Sequence, residues 1–211
     1  KDSRINNAKT KLSDLGYTVL NIEDYIKNMD DYLQFIKKLA FTNNWVEQQL
    51  KDYLDNPINL SMCILATGQA DAVVAGACNP SSEIIRSAIR IIGVSKYTKW
   101  ISSNFYMVSQ NLNQAFTYSD CGVIPEPTSE QLVSIAYNAA NMHKLLSGQD
   151  PIVAFLSFST KGSADHYRVD KVRDAYNIFK KKYKDIISDG ELQFDAAYSS
   201  EVYKNKLEKS S

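Results

Sequence analysis

Small, hydroxyl-bearing and cationic residues follow an apolar segment at residues 72–75, where a predicted strand gives way to a helix. Ser81 and Ser82 open that helix, and Arg86 lies one turn further along it. Free N–H groups and the dipole at a helix N-terminus favour anions, and a guanidinium binds phosphate through two hydrogen bonds. The pattern therefore predicts a phosphate-binding site. The alternative is that Ser81 or Ser82 only caps the helix and that Arg86 is a surface residue.

A second junction of this kind follows the apolar run at residues 152–158, ahead of a helix predicted to begin near Ala164. Backbone N–H groups and hydroxyls in such a loop form an anion-binding concavity, so the sequence predicts a second phosphate cradle. The spacings G-x-x-x-x-G-K-[ST] and G-x-G-x-x-G are absent, and neither nucleoside triphosphate hydrolysis nor dinucleotide binding is indicated. The loop residues are Ser159, Thr160, Lys161, Gly162 and Ser163.

Three carboxylates and an amide make up a third polar segment, residues 189–197, around a predicted strand at 192–196. Carboxylates at strand ends can act as general bases, but most are turn formers and solvated caps, so we interpret this segment as structural. His143 and His166 stand alone on helix positions that we predict to be exposed to solvent. Because no Cys/His cluster with metal-ligand spacing is present, we predict no bound metal.

The composition is that of a globular protein that meets anions only at local sites. The 211 residues carry 24 Lys+Arg and 24 Asp+Glu, a formal net charge of zero, and 44% hydrophobic residues. This balance gives no general attraction to nucleic acid or to an anionic membrane, and no apolar run reaches the roughly 18 residues of a membrane span. Cys63, Cys78 and Cys121 are odd in number and widely spaced, which favours reduced thiols in the cytoplasm.

Short apolar runs alternate with longer amphipathic stretches, which predicts an α/β fold with mostly parallel sheets and flanking helices. Helices are expected at 30–40, 46–55, 58–67, from Thr128 onwards with Gln131 completing a capping box, and at 169–183. A change to a β-rich pattern near residue 98 predicts two α/β domains, residues 1–98 and 99–211. The predicted strands are 17–21, 72–75, 101–108, 115–119, 152–158 and 192–196.

The same junctions resemble the phosphate acetyltransferase family, which also includes phosphate butyryltransferases. Six blocks occur in the family's order and span nearly the whole chain, more weakly over its first third. They are GQADAVVAGA (68–77), SSEIIR (81–86), PTSEQL (127–132), LSFSTKGSA (156–164), VDKVR (169–173) and DGELQFDAA (189–197).

The resemblance implies a cytoplasmic, usually dimeric enzyme with two α/β domains and a cleft between them, as in isocitrate and isopropylmalate dehydrogenases. It implies interconversion of acetyl phosphate plus coenzyme A with acetyl-CoA plus phosphate, through attack of the coenzyme A thiolate on the acyl phosphate. Coenzyme A is then a substrate, and no bound cofactor is expected. In the family, the residues matching Arg86, Ser81 and Ser82 belong to the substrate cleft. Those matching Ser159 to Ser163 lie in a loop of the second domain, where Lys161, Gly162 and Ser163 would help to shape the cleft.

Several positions depart from the family pattern. Ala40 stands where the family has an arginine, and Pro80 where a third hydroxyl residue is common. The family continues with a Ser-Arg-Gly motif and an aspartate that match positions beyond Ser211, and with a strand and helix ahead of Lys1. We therefore expect a chain that is short at both ends and name no catalytic residue in it. The alternatives are a phosphate butyryltransferase, or an inactive homologue that acts as a binding or regulatory subunit.

Overall fold

A computed structural model describes residues 2–96, 98–111 and 114–209 of the chain, which has a mixed α/β fold. Contacts between Cα atoms group the chain into two compact units, of which the first ends at Val94 and the second begins at Ser95. The division into domains at residues 98 and 99 stays a prediction.

The described part of the first unit contains helices and irregular segments but no strand, and its core lies among three short helices. The Asn56 side chain caps the third of them, Pro57–Ala66, by accepting the Ile58 N–H at 2.9 Å. Pro57 occupies its first turn, where a missing N–H costs nothing. Tyr32, Ile36 and other apolar side chains fill the core. The helices are α1 (Ser3–Asp14), α2 (Met29–Ile36), α3 (Glu47–Leu54), α4 (Pro57–Ala66) and α5 (Ser81–Ile91), with 3₁₀ turns at Ile22–Asn28 and Ala40–Thr42.

The helices predicted at 30–40, 46–55 and 58–67 are confirmed as α2, α3 and α4, but the strands predicted at 17–21 and 72–75 are wrong. Both segments have irregular backbone, and the side chain of Val74 is 94% exposed. A strand is stabilised by pairing and by burial of its apolar face, and neither segment pairs with a strand in the described part of the chain. An apolar run alone supplies neither condition.

The second unit combines an antiparallel hairpin with a parallel strand pair, so the predicted predominance of parallel strands is not found among the described residues. The hairpin pairs Asn104 with Ser119, and the parallel pair places Leu156 opposite Leu192. The elements are β1 (Asn104–Ser109), β2 (Gln114–Ser119), α6 (Ser129–Ser147), β3 (Ile152–Leu156), α7 (Tyr167–Lys182), β4 (Ile187–Leu192), α8 (Phe194–Tyr198) and α9 (Ser200–Lys209).

The strand predicted at 192–196 is displaced in the structure. Strand β4 ends at Leu192, and helix α8 occupies most of the predicted range. The prediction was wrong because β4 contains Asp189 and Glu191, whose charges hide a strand from a search for apolar runs. Parallel pairing with β3 brings the carboxyl ends of both strands to the same edge. The loop that follows β3 therefore lies beside the end of β4.

Helices α6 and α7 pack on the β3–β4 pair that carries this loop. The Thr128 hydroxyl accepts the Gln131 N–H at 3.2 Å and Gln131 Oε1 accepts the Thr128 N–H at 2.9 Å, which confirms the capping box. The side chains of Phe155 and Phe179 meet at a ring-centroid distance of 5.3 Å in the core. Helix α7 begins three residues later than the predicted Ala164, because the His166 side chain caps it.

Candidate functional site

The N-terminus of α5 has hydrogen-bond donors that no other described residue uses. Its N-cap position is Pro80, which has no side chain able to cap, and the Glu83 N–H donates back to the Pro80 carbonyl at 3.0 Å. The backbone N–H groups and hydroxyls of Ser81 and Ser82 have no acceptor among the described residues, and both residues are exposed. Arg86 is exposed one turn later and makes no hydrogen bond or ion pair in the described part of the chain. These donors are available to a dissolved anion.

Polar contacts hold α5 in place without capping it. The Glu83 carboxylate accepts hydrogen bonds from the Asn56 side chain at 2.8 Å and the Asn79 side chain at 3.2 Å. These two bonds lower the pKa of Glu83, so it stays ionised. Deeper along the helix, the buried Ser87 hydroxyl donates to Asn59 Oδ1 at 2.7 Å. Asn79 thus directs its amide toward Glu83, and the helix N-terminus stays open.

The loop after β3 has the opposite character, since each backbone N–H from Ser159 to Ala164 already donates within the protein. The side chains of Ser159 and Thr160 are also buried. The bonds run from Ser159 to Ser157 Oγ (3.3 Å), from Thr160 to Ser163 Oγ (3.0 Å), from Lys161 to the Glu191 carbonyl (3.1 Å), from Gly162 to Glu191 Oε1 (2.6 Å), from Ser163 to the Thr160 carbonyl (3.1 Å) and from Ala164 to Ser159 Oγ (3.2 Å).

The Glu191 carboxylate occupies the inside of this loop. It is 2% exposed, and the Arg173 guanidinium reaches both of its oxygens, with Nε 3.1 Å from Oε2 and Nη2 3.3 Å from Oε1. The Ser159 hydroxyl donates to Oε1 at 3.4 Å. Burial raises the pKa of Glu191, but the hydrogen bonds from Arg173 and Gly162 outweigh it and hold the pKa below its ordinary value. Glu191 is therefore a buried carboxylate with charged and neutral donors around it.

The Lys161 side chain is bound by a second carboxylate of β4, that of Asp189. Lys161 has a backbone φ of +47, and its ammonium group forms an ion pair with Asp189 and donates to the Gly190 carbonyl at 2.7 Å. The Tyr203 hydroxyl of α9 donates to the other Asp189 oxygen at 3.0 Å. Burial raises the pKa of Asp189, and the bonds from Lys161, Gly190 and Tyr203 outweigh this and lower it. Asp189 is therefore ionised at neutral pH.

Thr160 and a small cavity complete the surroundings of the loop. The Thr160 hydroxyl accepts the Gln193 N–H at 3.0 Å and donates to Gln193 Oε1 at 3.2 Å.

A cavity of about 590 Å³ opens beside the loop, and its lining includes two cationic and two anionic side chains. Its lining residues are Lys161, Gly162, Ala164, Asp165, Arg173, Tyr176, Asn177, Gly190 and Glu191.

The structure thus groups the predicted residues in two places. Ser81, Ser82 and Arg86 lie in the first two turns of α5 in the first unit, and Ser159–Ser163 form one loop in the second unit. The sequence does not reveal the part that Arg173 takes in the loop, and it predicts only a structural role for the segment 189–197, without the contact between Glu191 and the loop. The signal was present as two acidic residues inside a strand-length segment that ends in Leu192.

Predictions for the histidines and cysteines had mixed outcomes. His166 is exposed as predicted, whereas His143 is half-buried and its Nδ1 lies 3.0 Å from the Thr117 hydroxyl. Cys63, Cys78 and Cys121 are all free thiols. Among the residues that the structure describes, no three His, Cys, Asp or Glu side chains are grouped as metal ligands. No helix in that part of the chain has both the length and the apolar character needed to cross a bilayer.

Comparison with known proteins finds similar chains that are named phosphate acetyltransferase or phosphotransacetylase. A curated phosphate acetyltransferase from Thermoanaerobacterium thermosaccharolyticum is 39% identical over 187 residues, covering 87% of this chain and 56% of the relative. One from Acetivibrio thermocellus is 34% identical over 209 residues, covering 96% of this chain and 63% of the relative. The crystal structure of a phosphotransacetylase from Streptococcus pyogenes superposes with a TM-score of 0.75 at 30% identity, covering 93% of this chain and 60% of that one.

Each match covers a smaller fraction of the relative's length than of this chain's length. The chain spans 56% and 63% of the length of those two curated relatives. The family model described as "Phosphate acetyl/butaryl transferase" matches residues 1–211. Because this match extends over the whole sequence, the chain belongs to the phosphate acetyl/butaryl transferase family.

Proposed function

We propose that this protein is an acyltransferase that interconverts acetyl phosphate plus coenzyme A with acetyl-CoA plus phosphate. The observation that carries the proposal is the uncapped N-terminus of α5, where Ser81, Ser82 and Arg86 offer donors that the described residues leave unused. An acyl phosphate is a dianion, and such donors are the groups that bind one. The names of the relatives supply the acetyl group and phosphate, and the resemblance to the family supplies coenzyme A.

The proposed chemistry uses this site to stabilise the leaving phosphate. The coenzyme A thiolate attacks the carbonyl carbon, and a C–S bond forms. The bond between that carbon and the oxygen that bridges it to phosphorus then breaks, and inorganic phosphate leaves with the bonding electron pair. Negative charge grows on the bridging oxygen as that bond breaks, and the Arg86 guanidinium and the α5 N–H groups would compensate it. The thiol proton must pass to a base, because the thiolate is the nucleophile. We assign that base to none of the described residues.

In this proposal the Ser159–Ser163 loop of the second unit is a substrate-binding surface that does not grip the phosphate. Its backbone N–H groups are engaged, and Ser159 and Thr160 are buried. Gly162 and Ser163 are exposed and Lys161 is partly exposed, so these three residues present the loop's surface to a ligand. We further propose a division into two domains, a homodimer, a cytoplasmic location, and coenzyme A as a substrate without any bound cofactor or metal.

The test is a substitution of Arg86 in the full-length protein. Replacing Arg86 with Ala removes a charge-assisted hydrogen bond of about 1.5–3 kcal/mol, so we expect the KM for acetyl phosphate to rise about tenfold to 150-fold. The KM for coenzyme A should change little. Arg86→Lys should recover part of the loss, and Arg90→Ala, near the other end of α5, is the matched control. Unchanged kinetics for Arg86→Ala would remove this residue from the site, and absence of thiol-dependent turnover in the wild type would refute the activity.

Butyryl transfer is the second candidate, because the matching family model covers both acyl groups. Acetyl and butyryl groups differ by two methylenes, each worth about 1–3 kcal/mol of binding in an apolar pocket, so pocket volume discriminates between the two substrates. The ratio of kcat/KM for acetyl phosphate and butyryl phosphate in the same thiol assay decides between them. The inactive homologue suggested by Ala40 would turn over neither.

A further inference from the structure

We propose that the Ser159–Ser163 loop is an anion cradle that the protein fills with its own Glu191 carboxylate, and that Glu191 is the positioning residue of this loop. The sequence predicts a cradle open to phosphate, whereas the structure has a side chain in the place of the anion. This proposal does not depend on acyl transfer. It deepens the proposed function by leaving the α5 N-terminus as the site for dissolved phosphate.

The groups around Glu191 are those that bind an oxyanion. One backbone N–H, from Gly162, donates at 2.6 Å; one hydroxyl, from Ser159, donates at 3.4 Å; and the Arg173 guanidinium donates at 3.1 and 3.3 Å. Successive N–H groups, those of Lys161 and Gly162, both point to Glu191, the first to its carbonyl and the second to its carboxylate. The carboxylate itself therefore receives one backbone N–H, one hydroxyl and one guanidinium, a set of neutral and charged donors that suits an oxyanion.

Glu191 is committed to the loop and is not a solvated partner of Arg173. Its side chain is 2% exposed, while that of Arg173 is 40% exposed. Both carboxylate oxygens are in use. Glu191 and Asp170 bind different nitrogens of Arg173. Glu191 receives Nε and Nη2, whereas Asp170 contacts only Nη1, at 3.0 Å. Removal of the carboxylate would break these charge-assisted hydrogen bonds and leave the Gly162 N–H and the guanidinium to water or to another anion.

An external anion has room to reach those donors. The cavity of about 590 Å³ is lined by Gly162, Arg173 and Glu191 among others, so truncation of Glu191 opens the cradle directly into it. A small carboxylate can then occupy the vacated position and accept the same hydrogen bonds. A purely structural role for the Glu191 side chain, in which its methylene groups fill space, predicts no such rescue.

The experiment compares wild type, Glu191→Ala and the double variant Glu191→Ala/Arg173→Ala in full-length protein. Thermal unfolding is followed in sodium formate and in sodium chloride at matched ionic strength. We expect Glu191→Ala to melt at least about 3 °C below wild type, as expected for the loss of charge-assisted hydrogen bonds, and to recover with formate but not chloride. Wild type and the double variant should not respond to formate. Asp170→Ala, which removes the exposed carboxylate on Arg173, is the matched control and should not respond either.

Glu191→Gln keeps the test decisive if the alanine variant fails to fold. It preserves shape and one acceptor oxygen but removes the charge. We expect hydrogen exchange in residues 159–164 to accelerate about tenfold or more, since a charge-assisted bond is lost, with little change in α2–α4. Unchanged exchange in this variant would overturn the proposal. So would a Glu191→Ala protein that is as stable as wild type, or one that formate does not rescue.

Inorganic phosphate added to wild type separates this proposal from the proposed function. We expect phosphate to slow amide exchange at residues 81–86 and to leave 159–164 unchanged. Protection of 159–164 by phosphate would show an unfilled cradle and refute the inference about Glu191. Protection of neither segment would count against the α5 site, while the formate rescue would still stand or fall by itself.

Discussion

Replacing Gly190 with alanine tests whether β4 positions the loop through close packing. A Cβ atom at Gly190 would lie 2.7 Å from the Cβ of Phe155 and 3.3 Å from the Cβ of Tyr176. The first distance is shorter than Cβ contacts in real proteins. Because the atom that is met is itself a Cβ, a rotamer change at Phe155 or Tyr176 cannot relieve the overlap, and the backbone must move. β4 must therefore shift relative to β3 or α7.

Overpacking of this kind costs about 1–3 kcal/mol, which corresponds to a fall in melting temperature of about 2–12 °C for a chain of this size. The shift also moves Asp189 and Glu191, the neighbours that hold the loop. We expect faster hydrogen exchange at residues 159–164 in Gly190→Ala, measured by mass spectrometry beside the thermal melt. Ser188→Ala, on the same strand, removes an atom instead of adding one and is the control. A Gly190→Ala protein with the wild-type melting temperature and loop exchange would refute the packing argument.

Two further predictions follow from the titratable groups. The folded-state pKa of Glu191 is lowered, so its stabilisation is present above the unfolded value of about 4.3 and is lost as the pH falls through the folded value. Acid should therefore destabilise wild type more steeply than Glu191→Gln below about pH 4.3, which urea titrations at several pH values measure, and identical slopes would contradict this. Burial raises the pKa of Cys63 to about 12, whereas Cys78 is exposed. Iodoacetamide should label Cys78 first in native protein, although its hydrogen bond to Asp2 raises the pKa of Cys78, and peptide mapping that finds Cys63 labelled equally fast would contradict the burial argument.

Local signals in the sequence were sufficient for most helices. The Thr128 and Gln131 capping box is determined within four residues, and the structure has both of its hydrogen bonds. The apolar spacing in 46–55 and 58–67 likewise depends only on neighbours along one helix face. Residues 72–75 could not be assigned in this way, because β structure depends on a partner that the segment itself does not specify.

Contacts across the chain explain why the role of Glu191 was missed. Gly162 and Glu191 come together only because β3 and β4 pair in parallel, with Leu156 opposite Leu192. The rule that ligands bind beyond the carboxyl ends of parallel strands singles out the loop after β3. It does not single out Glu191, because the predicted strand runs to residue 196 and β4 ends at Leu192. Correct placement of β4 would have set Glu191 beside the loop.

The two junctions show that residue types alone do not determine whether an anion site is open. Both present hydroxyls, small residues and a cation after an apolar segment, and the chain has no net charge to favour either. What differs is the nearest carboxylate. Glu83 accepts hydrogen bonds from Asn56 and Asn79 and leaves the N–H groups of Ser81 and Ser82 unused, whereas Glu191 accepts hydrogen bonds from the loop beside it. A buried acid supplied by the protein has no translational entropy to lose, so at the second junction it outcompetes any dissolved phosphate, and an external anion must bind where no such acid reaches.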